Sequence, residues 1–588
     1  MNGRRFGPEL TAAGVTFRLW APAAKSVALL LDRAIAMAAG PSGWWTLTAA
    51  DARAGTRYKF RIDGELDVPD PASSFQPEDV AGPSEVIDHA AFPWRVRDWR
   101  GRPWEEAVIL ELHVGTFTPQ GTFRTTIDKL DHVVASGFTA IELMPVADFA
   151  GRRNWGYDGV LLYAPDSAYG RPDDLRALID AAHARGLMVF LDVVYNHFGP
   201  EGNYLGRYAP QFFTEASTPW GSAIDYRVGA VRAFAVENAL HWLRDYRFDG
   251  LRLDAVHAIV ERGEPDILEA LSRAAGELAA QTSRLIHLVL ENDDNSARLL
   301  DPRRAIPAGK YRAQWNDDYH HAWHVLLAGE THGYYGDHAQ APERRIARVL
   351  AEGFDYQGET SAHRGGRARG EASAALAPTA FVNFLQNHDQ VGNRALGERI
   401  ELLADPRAIE AALAVTLLAP MPPMMFMGEE WGSRRPFPFF CDFTGPLADA
   451  VRKGRREEFK TAYARYGDEV PDPLAEATFR SAMLDWEDAA RETGHARLAL
   501  VRDLVAARRA SIVPLLAELA ADPHATRCDG RCLALAWTHS SGRLLLLANL
   551  CDASAPCPAD WVHGEPIWGG TPPAILPPWS VFWSLGAR

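Results

Sequence analysis

The chain has 588 residues, 47% hydrophobic and 23% charged, with a net charge of −15. That length exceeds one compact core, so two to four domains are expected, and the composition excludes a disordered or fibrous protein. A surface of that sign repels phosphate backbones, which excludes nucleic acid as a partner and leaves a neutral ligand open.

Residues 1–97 read as β-structure. VTFRLWAP, SVALLLD, WWTLTA and RYKFRIDG are short β-rich runs, punctuated by Pro22, Gly40, Pro41, Gly55 and Gly64. They predict a small antiparallel sandwich. The stretch DVPDPASSFQPEDVAGPSEV has little periodicity and reads as a linker, or as a loop draped over the next domain.

Over residues 98–511 apolar strands alternate with amphipathic helices. Eight strand candidates begin at Val108, Thr139, Leu187, Phe248, Leu285, Tyr311, Thr379 and Pro423. Helical spacing appears between them, as in PDDLRALIDAAHARG, with Pro172 near its start and Gly186 as its stop. The alternation predicts a (β/α)₈ TIM barrel with loop insertions. No G-x-G-x-x-G follows the first strand, which argues against a doubly wound sheet. Residues 512–588 return to short strands, CLALAWTH, GRLLLLANL and SVFWSLGAR, and predict a C-terminal antiparallel β domain.

The five Cys are odd in number and sparse, so no disulfide framework is implied, and the spacing of paired zinc knuckles is absent. The apolar stretch near Leu544 is far too short for a membrane span, and no apolar run follows the Arg pair of MNGRRFGPEL. The expectation is a cytoplasmic protein with no membrane partner.

A barrel carries its chemistry at the C-terminal ends of its strands. There LDVVYNH ends with Asp192, Asn196 and His197, and GLRLDAVH carries Arg252, Asp254 and His257. LVLEND carries Glu291, and FLQNHD ends with His388 and Asp389. One carboxylate at a strand exit is ordinary surface; four on the same rim call for another explanation. Cleavage of a glycosidic bond needs two carboxyl groups astride the anomeric carbon. Arg252 lies two residues before Asp254 on one strand, so both face one side, and a guanidinium favours the ionised Asp expected of a nucleophile. Glu291 lies between apolar residues and further acids, which favours the protonated form expected of a general acid.

DVVYNH, DGLRLDAVH, the Glu of LVLEND and FLQNHD resemble the four signature regions of the α-amylase family of glycoside hydrolases. The resemblance implies Asp254 as nucleophile, Glu291 as acid/base and Asp389 as the third carboxylate, holding the 2- and 3-hydroxyls. It places Asp192, His197, Arg252 and His388 around the sugar at the cleaved bond. It also implies retention at the anomeric carbon, with the two catalytic carboxyls roughly 5 to 5.5 Å apart. ELHVGTFTPQGTF, NWGYDG, TPWG, QWNDDYHHAWHVLLAGE and FMGEEWG are similar to the maltooligosyltrehalose trehalohydrolases within that family. This implies cleavage of the α-1,4 bond next to the terminal trehalose unit of maltooligosyl trehalose. It also implies functional pairing with a maltooligosyl trehalose synthase. The competing functions are a glycogen branching or debranching enzyme, and a catalytically dead carbohydrate-binding protein on the same barrel; the latter predicts loss of a carboxylate.

Trp155 and Tyr157 in NWGYDG follow the second strand, and Trp220 lies in the long loop after the third. Stacking on glucose competes with loop packing for each, and Phe354 and Tyr356 raise the same choice. His320 and His324, four apart on a probable helix, read as structural. Asn196 matches a position that binds calcium in many α-amylases, but its acidic partners are not evident, so no metal or cofactor is expected. Glu429 and Glu430 follow the eighth strand and either bind barrel loops or border the sugar groove.

Overall fold

The computed structural model describes residues 5–218, 221–301, 309–521, 527–530, 532–558, 561 and 563–587. At the N-terminus two antiparallel sheets face each other. One has the order Glu9–Thr11, Gly14–Trp20, Trp44–Ala49, Ala38–Ala39; the other has Ala34–Ala36, Val27–Leu30, Arg57–Ile62, Leu66–Val68. Alternation buries Val15, Phe17 and Leu19 against Tyr58, Phe60 and Ile62, as period-2 strands with one dry face require. The Pro-rich stretch that follows is a draped loop. It buries Ser73 and Gln76 in its own hydrogen bonds, Ser74 meets His89 beyond it, and Val80 packs on Ala150, Val160 and Leu161 of the central domain.

The central unit is a closed barrel of eight parallel strands. They are β1 (Ile109–Leu112), β2 (Ala140–Leu143), β3 (Met188–Val193), β4 (Gly250–Leu253), β5 (His287–Leu290), β6 (Ala313–Trp315), β7 (Phe381–Phe384) and β8 (Pro423–Phe426). All eight fall where the apolar runs place them. Inward side chains of the lower half form an apolar floor that includes Ile109, Ala140, Met188, Phe190, Val289 and Met424. Trp104 plugs it from below, its Nε1–H donating to the Thr379 carbonyl at 2.8 Å. The barrel is therefore a filled core with an opening at its upper rim. Two small hairpins not evident in the sequence, Ala147–Asp148 with Leu161–Pro165 and Phe213–Thr218 with Gly221–Ile224, lie in the loops after β2 and β3.

The chain closes on an antiparallel sheet whose central strands are Cys532–His539, Gly542–Asn549 and Ser580–Gly586. Trp583 Nε1–H donates to the Ala414 carbonyl at 3.1 Å, which seats this sheet on the barrel helix Pro406–Leu418. Among the described residues no helix is long and apolar enough to cross a membrane.

Candidate active site

Strand alternation builds the site. Phe190 on β3 lies in the apolar floor, so Asp192, two residues on, also faces inward. Val289 does the same for Glu291 at the end of β5, and Ile109 and Ala140 do it for Glu111 on β1 and Glu142 on β2. Arg252 on β4 and Asp254, just past its end, both point in.

Asp192 and Arg252 are register partners on adjacent strands. Arg252 Nη1 donates to Asp192 Oδ2 at 2.6 Å and to Asp254 Oδ1 at 3.0 Å, and Nη2 lies 3.0 Å from Glu291 Oε2. One fully buried guanidinium thus touches three carboxylates, and it lies 4.0 Å over the Trp315 ring. Asn196 Nδ2 donates to Asp254 Oδ2 at 2.7 Å. The residue after Asp254 is strained: Ala255 is left-handed, φ 39° and ψ 50°. An L residue held there costs on the order of 1–3 kcal/mol. The turn aims the Ala255 N–H at Glu291 Oε2, 2.7 Å away.

These contacts reverse the electrostatics expected from strand spacing. Burial raises the Asp254 carboxyl well above its usual range; Glu291 and Asp192 add to this, and Arg252 and Asn196 offset only part of it. Burial also opposes ionisation of Glu291, but Arg252, His257 and the Ala255 N–H outweigh it and hold its pKa below the ordinary value. Strand spacing pairs Arg252 with its strand neighbour alone, whereas the guanidinium fork also reaches Glu291 at the end of β5.

The other expected residues lie around this centre. Tyr157 donates its hydroxyl to Asp192 Oδ2 at 2.6 Å and stacks on His388 at 5.0 Å and 20°. His388 Nε2 lies 3.6 Å from Asp389 Oδ1, and the Asp389 side chain is 37% exposed, the most open of the three. His197 shares a hydrogen with the Tyr157 carbonyl at 2.8 Å, and burial lowers its pKa to about 4, so it is neutral. His257 Nδ1 accepts the Asp293 N–H at 3.2 Å on the loop that follows Glu291.

Three of the aromatic residues for which stacking competed with packing are packed. Trp155 is 3% exposed, stacked on Phe437 at 5.4 Å and edge-on to His388 at 5.5 Å. A Cβ on Gly392 would come within 2.0 Å of its ring. It therefore packs behind His388 and offers no face to a sugar. Phe354 is fully buried against Phe381, and Tyr356 is buried with its hydroxyl on the Asp337 carbonyl. Trp220 lies outside the described residues.

Glu429 and Glu430 are buried against the barrel: Glu429 accepts the N–H of Phe426, at the end of β8, at 3.0 Å, and Glu430 meets His132, on the helix Leu130–Ala135, at 3.2 Å. His320 hydrogen-bonds the Leu385 carbonyl and His324 meets Glu330. Among the described residues, Asp318, His321 and His338 are the one group close enough to share an ion. Asp318 is already engaged by Arg369 at 2.8 Å and by three N–H donors on its other oxygen.

Sequence reasoning missed Asp317, which follows β6. Burial raises its pKa well above the usual range, and Glu291, Asp293 and Asp389 add to the shift, which sets it beside the same centre. Its position at a strand exit in QWNDD was the available signal. Also missed was the pinning of Asp293 and Asp294 by Arg364, and of Asp293 by Arg369 at 3.1 Å; both arginines come from the 360–370 loop.

Comparisons with known proteins agree with this geometry. The family described as alpha amylase, catalytic domain, matches residues 90–218, and carbohydrate-binding module 48, the isoamylase N-terminal domain, matches residues 5–74. The chain is 42% identical to the malto-oligosyltrehalose trehalohydrolase of Deinococcus radiodurans, over 92% of this chain and 88% of that one. It is 44% identical to the Mycobacterium tuberculosis enzyme of that name, over 84% and 86%. A crystal structure of an alpha-amylase-type protein from Salmonella typhimurium superposes with a TM-score of 0.93 at 44% identity, covering 99% of this chain and 100% of that one. The 1,4-alpha-glucan branching enzyme of M. tuberculosis matches only 42% of this chain and 37% of its own length, at 36% identity. The branching reading is therefore not favoured. The chain is a glycoside hydrolase and belongs to the malto-oligosyltrehalose trehalohydrolase family of the α-amylase superfamily.

Proposed function

We propose that the chain hydrolyses the α-1,4-glucosidic bond next to the terminal trehalose unit of maltooligosyl trehalose, releasing trehalose and a maltooligosaccharide with retention. The observation that carries the mechanism is one guanidinium, Arg252, bridging Asp254 and Glu291 at the mouth of the barrel.

In this reading the two carboxyls share one proton, and the reactive form has it on Glu291. Asp254, held by Arg252 and Asn196, attacks the anomeric carbon. Glu291 protonates the leaving glycosidic oxygen, and a covalent glycosyl-enzyme forms. Ionised Glu291 then takes a proton from water, which attacks the same carbon and frees Asp254. Asp389, the most open of the three, binds the ring hydroxyls, and Tyr157, Asp192, His197, His257 and His388 frame the sugar. The choice of trehalose as leaving group is supported by the names of the relatives. A separate synthase must make such a substrate, so functional pairing with one belongs to the proposal. The five cysteines form no disulfide, which fits a reducing, cytoplasmic setting.

Replacing Asp254 with Asn should abolish trehalose release from maltooligosyl trehalose while the thermal melt stays unchanged. Retained turnover would refute the assignment, and a transferred branch in place of free trehalose would refute the reaction.

A further inference from the structure

Beneath the rim lies a second pair of acids, Glu111 on β1 and Glu142 on β2, each 1% exposed and side by side in register. Their environments differ. Both oxygens of Glu111 are taken by one residue: Oε1 by the His388 ring at Nδ1, and Oε2 by the His388 backbone N–H at 3.1 Å. Neither oxygen of Glu142 has a hydrogen-bond partner.

We propose that Glu111 is a positioning residue: it fixes the His388 ring and keeps it a cation, so that Nε2–H remains a donor toward Asp389 and the sugar hydroxyls. This deepens the reading above and rests on it. Two contacts from one carboxylate to the ring and backbone of the same residue set the ring's rotation, and Tyr157 stacked on its face and Trp155 edge-on pack against it in that orientation. His388 Nε2 is buried without a hydrogen-bond partner and lies 3.6 Å from Asp389 Oδ1. A buried donor aimed at a rim carboxylate, with nothing accepting its hydrogen, is placed to meet a ligand oxygen.

The charges around the ring are mixed. Glu111 faces it from β1, Glu142 from β2, Asp192 from β3, Arg252 from β4 and Glu291 from β5, with Asp389 next in chain and neutral His113 behind β1. Burial opposes a charge on His388, but Asp389 and Glu111 outweigh it and lift its pKa to about 9, with Arg252 resisting. Glu142 cannot replace Glu111. Burial, with Asp192 and Glu111 adding to it, pushes its pKa well above the carboxylate range, so it stays neutral.

The sign follows. His388 loses its proton as pH rises through its pKa, near 9 in the native protein. That titration is read by NMR from the His388 resonance of the full-length, histidine-labelled protein, because the proton that Asp254 and Glu291 share also sets the alkaline limb of kcat/KM. Glu111→Gln removes an anion that favours the charged ring and should move the His388 titration downward by about one pH unit or more. Glu111→Asp keeps the charge and should keep the titration near its native place. Glu142→Gln replaces a neutral acid by a neutral amide and should leave it unmoved. A His388 titration unchanged in Glu111→Gln would overturn the proposal. If that variant does not fold, the native titration decides: a His388 that loses its proton below about pH 7 overturns it. A native chain that releases no trehalose would sink the functional reading, yet the His388 titration would still test the role of Glu111.

Discussion

Arg252 organises the site because it is the only described guanidinium that meets three of the site's carboxylates at once. A buried cation of this kind needs full pairing, and Asp192 supplies its shortest contact. Asp192 in turn accepts the Tyr157 hydroxyl on the same oxygen, so Tyr157 reaches the reacting centre through two polar contacts. Losing a hydrogen bond to a charged group costs about 1.5–3 kcal/mol. Tyr157→Phe should therefore lower kcat/KM by roughly tenfold or more while the fold holds. Steady-state kinetics on maltooligosyl trehalose measure this, and an unchanged kcat/KM would mean that Arg252 alone holds Asp192. The strained Ala255 belongs to the same scale. It exists to aim one N–H at Glu291, and a relaxed turn would lose that donor.

Among the elements, the connection into β8 depends on a side chain remote from the sugar. Arg508, at the end of the helix Glu492–Ala507, is buried and donates to the carbonyls of Leu417, Ala419 and Met421. Burial lowers its pKa to about 9, and among the described residues no carboxylate pairs with it. Those carbonyls end the helix Pro406–Leu418 and begin the turn into β8. Arg508→Leu should leave buried acceptors unpaired and cost about 3 kcal/mol. A lower urea midpoint with an unchanged slope would register this; an unchanged midpoint would mean that the turn closes by itself. Trp155 teaches a similar lesson. Its place in NWGYDG suggested a sugar platform, but Gly392, next to the Asp389 turn, admits the ring into the core, where it backs His388.

At the scale of the whole molecule, one hydrophobic core runs from the N-terminal sandwich through the barrel into the last sheet. Phe6 meets Phe234 at 5.2 Å, Trp20 meets Phe212 at 5.5 Å, and the Ala23 N–H donates to the Tyr208 carbonyl at 3.0 Å. Removing residues 1–97 would bare this surface, and large apolar patches drive association. The truncated chain should be recovered as aggregate, and the full chain should melt in a single calorimetric transition. A soluble, active truncation, or two separate transitions, would show that the sandwich is an independent unit.

The amino-acid sequence by itself determined the eight strands, the two flanking β units and the inward set of rim residues. Each of those follows from local rules: period-2 alternation, helical spacing between strands, and Gly or Pro at the ends. The tertiary structure alone decided which partners meet. Arg252 bridging to Glu291, Asp317 arriving beside it, Glu111 gripping His388 from 277 positions away and Trp155 turning inward all join residues far apart in the chain. Their pairing depends on barrel closure and register, and closure is a property of the packed whole that no short stretch of chain encodes.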